Sequence, residues 1–70
     1  MPYRTNRDLP PPVQHVLPLH AQDIYREAFN NAWAHFRGPE SEREQRCHRI
    51  AWAAVKRSYH KEDGAWVGNG

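Results

Sequence analysis

Between Asp23 and Phe36 the chain alternates aromatic rings with alanines at helical spacing. At about 100° per residue, Ala21, Tyr25, Ala28, Phe29, Ala32, Trp33 and Phe36 share one side of a helix. Arg26, Glu27, Asn30, Asn31 and Arg37 take the other side. The stripe holds both phenylalanines, one tryptophan and one tyrosine. The small alanines between the rings let a second helix approach closely. In a chain of 70 residues this stretch must seed the core. Domains so short bury only about 60% of their unfolded surface and are marginally stable. One domain, residues 1–70, is therefore expected.

The flanking segments supply helices on either side. Val13, Val16 and Leu17 recur at helical spacing after Pro10-Pro11-Pro12, which predicts a short first helix beginning at Pro12 and stopping before Pro18. Asp8 stands as an N-cap candidate before it. The central helix is predicted from about Leu19 to Phe36 or Arg37, with Pro18 in its first turn. Gly38-Pro39 would end it, glycine as the left-handed cap. Ser41 and Glu44 have the spacing of a capping box for a third helix, which continues through Arg57 or Tyr59. On that helix Cys47, Ile50, Ala51, Ala54, Val55 and Ser58 are read as the inner side. Arg46, Arg49, Lys56, Arg57 and His60 are read as the outer side, with Trp52 and Tyr59 stacked on one flank.

After the turn signal Asp63-Gly64 come Ala65, Trp66 and Val67. Tyr3 and Trp66 are large residues in polar ends, so the N- and C-terminal segments are expected to pair as a short two-stranded antiparallel β-ribbon. The expected fold is thus mainly α, a three-helix domain with that ribbon. Its core is expected to include Tyr25, Phe29, Trp33, Phe36, Ile50, Ala54 and Val55.

Composition narrows the function by exclusion. No run of about 20 apolar residues exists to span a bilayer, and the N-terminus lacks a signal-peptide pattern; a cytoplasmic location is expected. Ten Lys and Arg face eight Asp and Glu, too small an excess to imply nucleic acid by itself. Five histidines invite a metal reading, but His15, His20, Cys47, His48, His60 and Asp63 offer no i, i+4 ligand pair and no C-x-x-C. No metal and no cofactor are expected. Cys47 lies on an apolar helix side, where an inert buried thiol is the usual case. A Cys–His pair would need an orienting group and a pocket; no enzymatic activity is expected.

One surface remains, the cations Arg46, Arg49, Lys56 and Arg57 on the third helix. They are the candidate partner-binding residues. Such a row can steer an acidic protein or track a nucleic-acid backbone. A protein partner is the first expectation and a nucleic-acid-binding module the alternative. Trp52 is expected to be buried, since so small a domain needs its indoles inside.

Met1-Pro-Tyr-Arg4, Asp8-Leu-Pro10 and His15-Val-Leu-Pro18 begin a resemblance to the ChaB family of bacterial cation transport regulators. It continues through His20-Ala-Gln-Asp-Ile-Tyr-Arg-Glu-Ala-Phe-Asn30, Ala32-Trp33, His48-Arg-Ile-Ala-Trp-Ala-Ala-Val-Lys56, Tyr59 and Trp66. Pro11, Pro12, Cys47 and a short loop around Gly38 depart from the family pattern. The resemblance implies a mostly helical domain with a small two-stranded sheet. It also implies regulation of a cation (sodium or calcium)/proton antiporter, by docking to a cytosolic region. It brings no catalytic or metal residues to carry over.

Overall fold

Two long helices form the frame. The computed structural model describes residues 2–69. A 3₁₀ turn at Asn6–Asp8 is followed by α1 (Pro11–Val16), α2 (Leu19–His35), α3 (Glu40–Ser58), β1 (Tyr59–Glu62) and β2 (Ala65–Gly68). Helices α2 and α3 run antiparallel: Tyr25 meets Trp52, Phe29 meets His48, and Trp33 lies under Arg43. The fold is mainly α with a two-stranded antiparallel sheet, as the sequence predicts.

Backbone chemistry sets the ends of the helices. Helix α1 opens at Pro11, with Pro11 and Pro12 in its first turn, where a missing N–H leaves nothing unpaired. Asp8 does not cap it. Its carboxylate instead accepts from the Thr5 N–H at 3.2 Å, closing the preceding 3₁₀ turn. Pro18 stands just outside α2 as its N-cap. Helix α2 stops at His35 with Phe36 already extended, so Gly38 at φ 147° serves the loop and not the cap. The Phe36 ring packs against Gly38: a Cβ there would meet it at 3.1 Å. The Ser41–Glu44 capping box does not form, because α3 starts two residues earlier than that box requires, at Glu40 with Pro39 as N-cap.

The ribbon pairs different segments from those expected. Strands β1 and β2 form a hairpin in the register His60↔Val67 and Lys61↔Trp66. The turn between them is Asp63-Gly64, at φ 50° and 82°. Two left-handed residues give the turn whose twist matches paired strands. Tyr3 finds its partner elsewhere. Its N–H donates to the Asn30 Oδ1 at 2.8 Å, its carbonyl accepts from the Asn30 Nδ2 at 2.7 Å, and its ring lies 4.7 Å from Phe29. A side-chain amide thus supplies both hydrogen bonds that a neighbouring strand would have made. Trp52 and Tyr59 likewise part company. Tyr59 has left the helix at φ −135° and turns to His20, while Trp52 packs on Trp66 at 5.6 Å.

Burial corrects part of the expected core. Tyr25, Phe29 and Val55 are fully buried, joined by Leu9, Val13, Leu17, Ala21, Cys47 and Ala51. Trp33 and Phe36, at the end of the α2–α3 pair that α1 does not cover, are only half-buried, and so is Ala54, which faces an open trough between the helices. Ile50 is 50% exposed. The buried line of α3 runs through Cys47, Ala51 and Val55, and Ile50 is a full 100° step from Ala51, the middle of that line. The buried Gln22 amide donates to the Leu17 carbonyl at 2.8 Å, closing the end of α1 and satisfying its own nitrogen.

The end of the hairpin is tied to α3 by Asn69. Its backbone N–H donates to the Ser58 carbonyl at 2.9 Å and its Nδ2 to the Arg57 carbonyl at 3.1 Å. That leaves Asn69 Oδ1 facing His60 Nδ1 at 2.6 Å, with Glu62 Oε2 2.9 Å from Nε2. Both oxygens are acceptors, so His60 satisfies both only as imidazolium. The Asn69 oxygen, and then Glu62, push its pKa up from the ordinary value. The folded pKa exceeds the unfolded one. The contribution is therefore complete below about pH 6.5 and is lost as pH rises through the folded value. A proton NMR titration is expected to show His60 titrating above a free histidine, with the Asn69 amide signal moving in the same step. A His60 midpoint at or below the free value would refute the latch.

Candidate functional site

The outer face of α3 carries three cations without a carboxylate partner, Arg49, Lys56 and Arg57, beside an apolar trough. Residues 46, 49, 50, 53, 56 and 57 follow helical spacing along about 16 Å of axis. Arg46 is held by Glu42 at 3.0 Å, an i, i+4 pair within the helix. Among the described residues no carboxylate pairs with Arg49, Lys56 or Arg57, all of them exposed. The sequence placed these four cations opposite Ile50. The structure puts Arg46 and Arg57, four residues before and seven after it, on the same side as Ile50. The face is therefore mixed, cationic with an exposed isoleucine along the edge that borders the trough.

Beside that face lies a trough of about 500 Å³ between α2 and α3. Ala28 and Ala32 line it from α2, Ile50, Ala53 and Ala54 from α3. Asn31, His35 and Arg57 supply its polar groups, and no carboxylate takes part. The trough exists because alanines face each other where larger side chains would have closed the gap. Sequence reasoning found the cations by spacing but missed the trough, since the gap between two helices is invisible along either one alone.

A second constellation was also missed. The Tyr25 hydroxyl is hydrogen-bonded to His48 Nδ1, and His48 Nε2 lies 3.7 Å from Glu44. Burial, followed by the nearby Tyr3 and Glu44, raises the Tyr25 pKa well above the ordinary phenol value. The hydroxyl therefore stays protonated and donates. This chain fastens α2 to α3 on the side away from the trough. Cys47, with no exposed surface, has its pKa raised by burial, which keeps the thiol in its unreactive form. At the far end the Arg43 guanidinium lies 4.2 Å over the Trp33 ring and donates to the Trp33 carbonyl at 2.7 Å. Among the described residues no three metal-ligating side chains converge, and no helix is long and apolar enough to cross a membrane.

The frame and the face define a small, mainly helical domain with a mixed cationic and apolar outer face on α3. The family model of ChaB matches residues 9–68, and this chain belongs to the ChaB family. It is 53% identical over 72 residues to the Escherichia coli (strain K12) protein named "Putative cation transport regulator ChaB", covering 94% of this chain and 95% of that one. The Shigella flexneri protein of the same name matches equally, 53% identical over 72 residues with the same coverage. A solved structure described as "NMR solution structure of the putative cation transport regulator ChaB" superposes with a TM-score of 0.83 at 49% identity. That match covers 99% of this chain and all of the other.

Proposed function

We propose that this chain is a non-enzymatic regulatory protein of cation transport that acts by docking through the outer face of α3. The observation that carries the reading is the free cationic row Arg49, Lys56 and Arg57 set beside the exposed Ile50. Cations beside an apolar patch suit a protein surface, where the charges steer the encounter and the apolar patch is buried on contact. The family name of the relatives points to cation transport. The partner is a cytosolic region of a sodium or calcium/proton antiporter, met in the cytoplasm. A nucleic-acid partner is the weaker fit, because Glu42 already neutralises Arg46 and the apolar Ile50 and alanine edge offers nothing to a phosphate backbone.

Sodium and calcium efflux from cells with and without the gene tests the proposal. Deletion is expected to alter the efflux rate, and the parent chain to restore it. Arg49→Glu with Lys56→Glu is expected to leave the melt within about 0.5 kcal/mol of the parent and to restore nothing. Efflux indifferent to deletion, or full restoration by the folded double variant, would overturn the reading. So would tight binding of the parent to duplex DNA that weakens steeply with salt.

A further inference from the structure

We infer that the trough between α2 and α3 receives an acidic amphipathic helix. The inference rests on the docking reading above and names the chemistry of the occupant. Three features of the trough select it.

The first is the absence of backbone partners. Both walls are helices whose N–H and C=O groups are bonded within themselves along the trough, except in the last turn of α2 at its end. An extended peptide laid there would find no ladder and would leave its own groups unpaired. A helix satisfies its backbone internally and needs from its host only a shape to fill.

The second is that shape. From Ile50 to Arg57 the trough wall runs about 10 Å, two turns of a third helix packed across the pair. Opposed alanines leave space that large apolar side chains at i and i+4 of an incoming helix would fill. Ile50, half exposed at the edge, closes over them.

The third is charge. Arg57 lines the trough with no carboxylate beside it. Arg49 and Lys56, exposed and without carboxylate partners, continue the positive potential along the same helix. An occupant with acidic flanks gains from this field, while a basic one is repelled. A phosphate backbone would match the cations but not the alanine and isoleucine wall.

Two synthetic peptides of about 15 residues test the inference with the full chain. They share leucines at i, i+4 and i+7 and differ only in carrying glutamate or lysine on the flanks. The glutamate peptide is expected to bind and to shift the methyl signals of Ala28, Ala32, Ala53 and Ala54. The lysine peptide is expected to bind at least about tenfold more weakly. Ala53→Trp, at an exposed position, fills the trough and is expected to abolish binding while the melt stays unchanged. Ile50→Asp gives a second, smaller block should the indole disturb folding. Equal binding of both peptides, shifts confined to other surfaces, or undiminished binding by the folded blocked variants would each overturn the inference. The efflux assay separates it from the docking reading. If Arg49→Glu with Lys56→Glu fails to restore efflux while Ala53→Trp restores it fully, docking stands and the trough occupant falls.

Discussion

Replacing Phe29 with alanine is expected to cost about 3–5 kcal/mol and to leave most of the population unfolded at room temperature. The ring has no exposed surface and holds Tyr3 at 4.7 Å, His48 at 4.9 Å and Trp33 at 5.8 Å from its centre. Removing it opens a cavity at the point where the N-terminal segment, α2 and α3 converge. Neighbouring rings are pinned from outside, Tyr3 by Asn30 and Trp33 by Arg43, so collapse into the gap is restricted. A domain this small has few kcal/mol in reserve. Trp33→Ala is expected to cost less, because that indole is only partly buried and the space it leaves is partly refilled by water. Urea melts of the two variants decide the order. A Phe29→Ala protein melting with the parent, or above Trp33→Ala, would show that the core is centred elsewhere.

Enlarging Ala51 is the second severe change. Ala51 is buried to zero exposure in the middle of the inner line of α3, where only a methyl group fits between the helices. Leucine there must push α2 and α3 apart or leave its rotamer well, a cost of about 1–3 kcal/mol. Separation of the helices would also strain the Tyr25–His48 tie. The control lies two residues away. Ala53→Leu points into the trough from an exposed position and is expected to change stability by no more than about 0.5 kcal/mol. Thermal melts of both variants measure the contrast. Equal losses would mean that the trough is closed in solution.

The long helices were legible because their signals are local. Alanine and aromatic periodicity marks α2, and Pro18 and Gly38-Pro39 bracket it within a residue or two. The Asp63-Gly64 turn was legible for the same reason. What escaped was set by partners distant in sequence. Tyr3 was expected to seek a strand, but its backbone is served by Asn30, a polar residue on the side of α2 read as solvent-facing. Ile50 was counted as core because an isoleucine beside Ala51 looks buried. Which of two adjacent apolar residues faces inward depends on where α2 lies. The cations of the candidate site were found by spacing, whereas the trough beside them required the distance between two helices. Leu9, Val13 and Leu17 could be read as helical but not as lids, since nothing in that segment states which end of the pair it covers.

The antiparallel pairing of α2 and α3 through a short loop has a kinetic consequence. Contacts between neighbours in sequence form fastest, and helical pairs rich in them assemble within microseconds to milliseconds. The hairpin of β1 and β2 is equally local. The clasp of Asn30 on Tyr3 spans 27 residues and closes a long loop for little area, so it is expected to form last and open first. Amide exchange at Tyr3 should then run ahead of exchange at Phe29 or Val55. The proposed docking surface belongs to the part of the molecule expected to be earliest to assemble and latest to come undone. A transient release of the N-terminal segment would leave the trough standing.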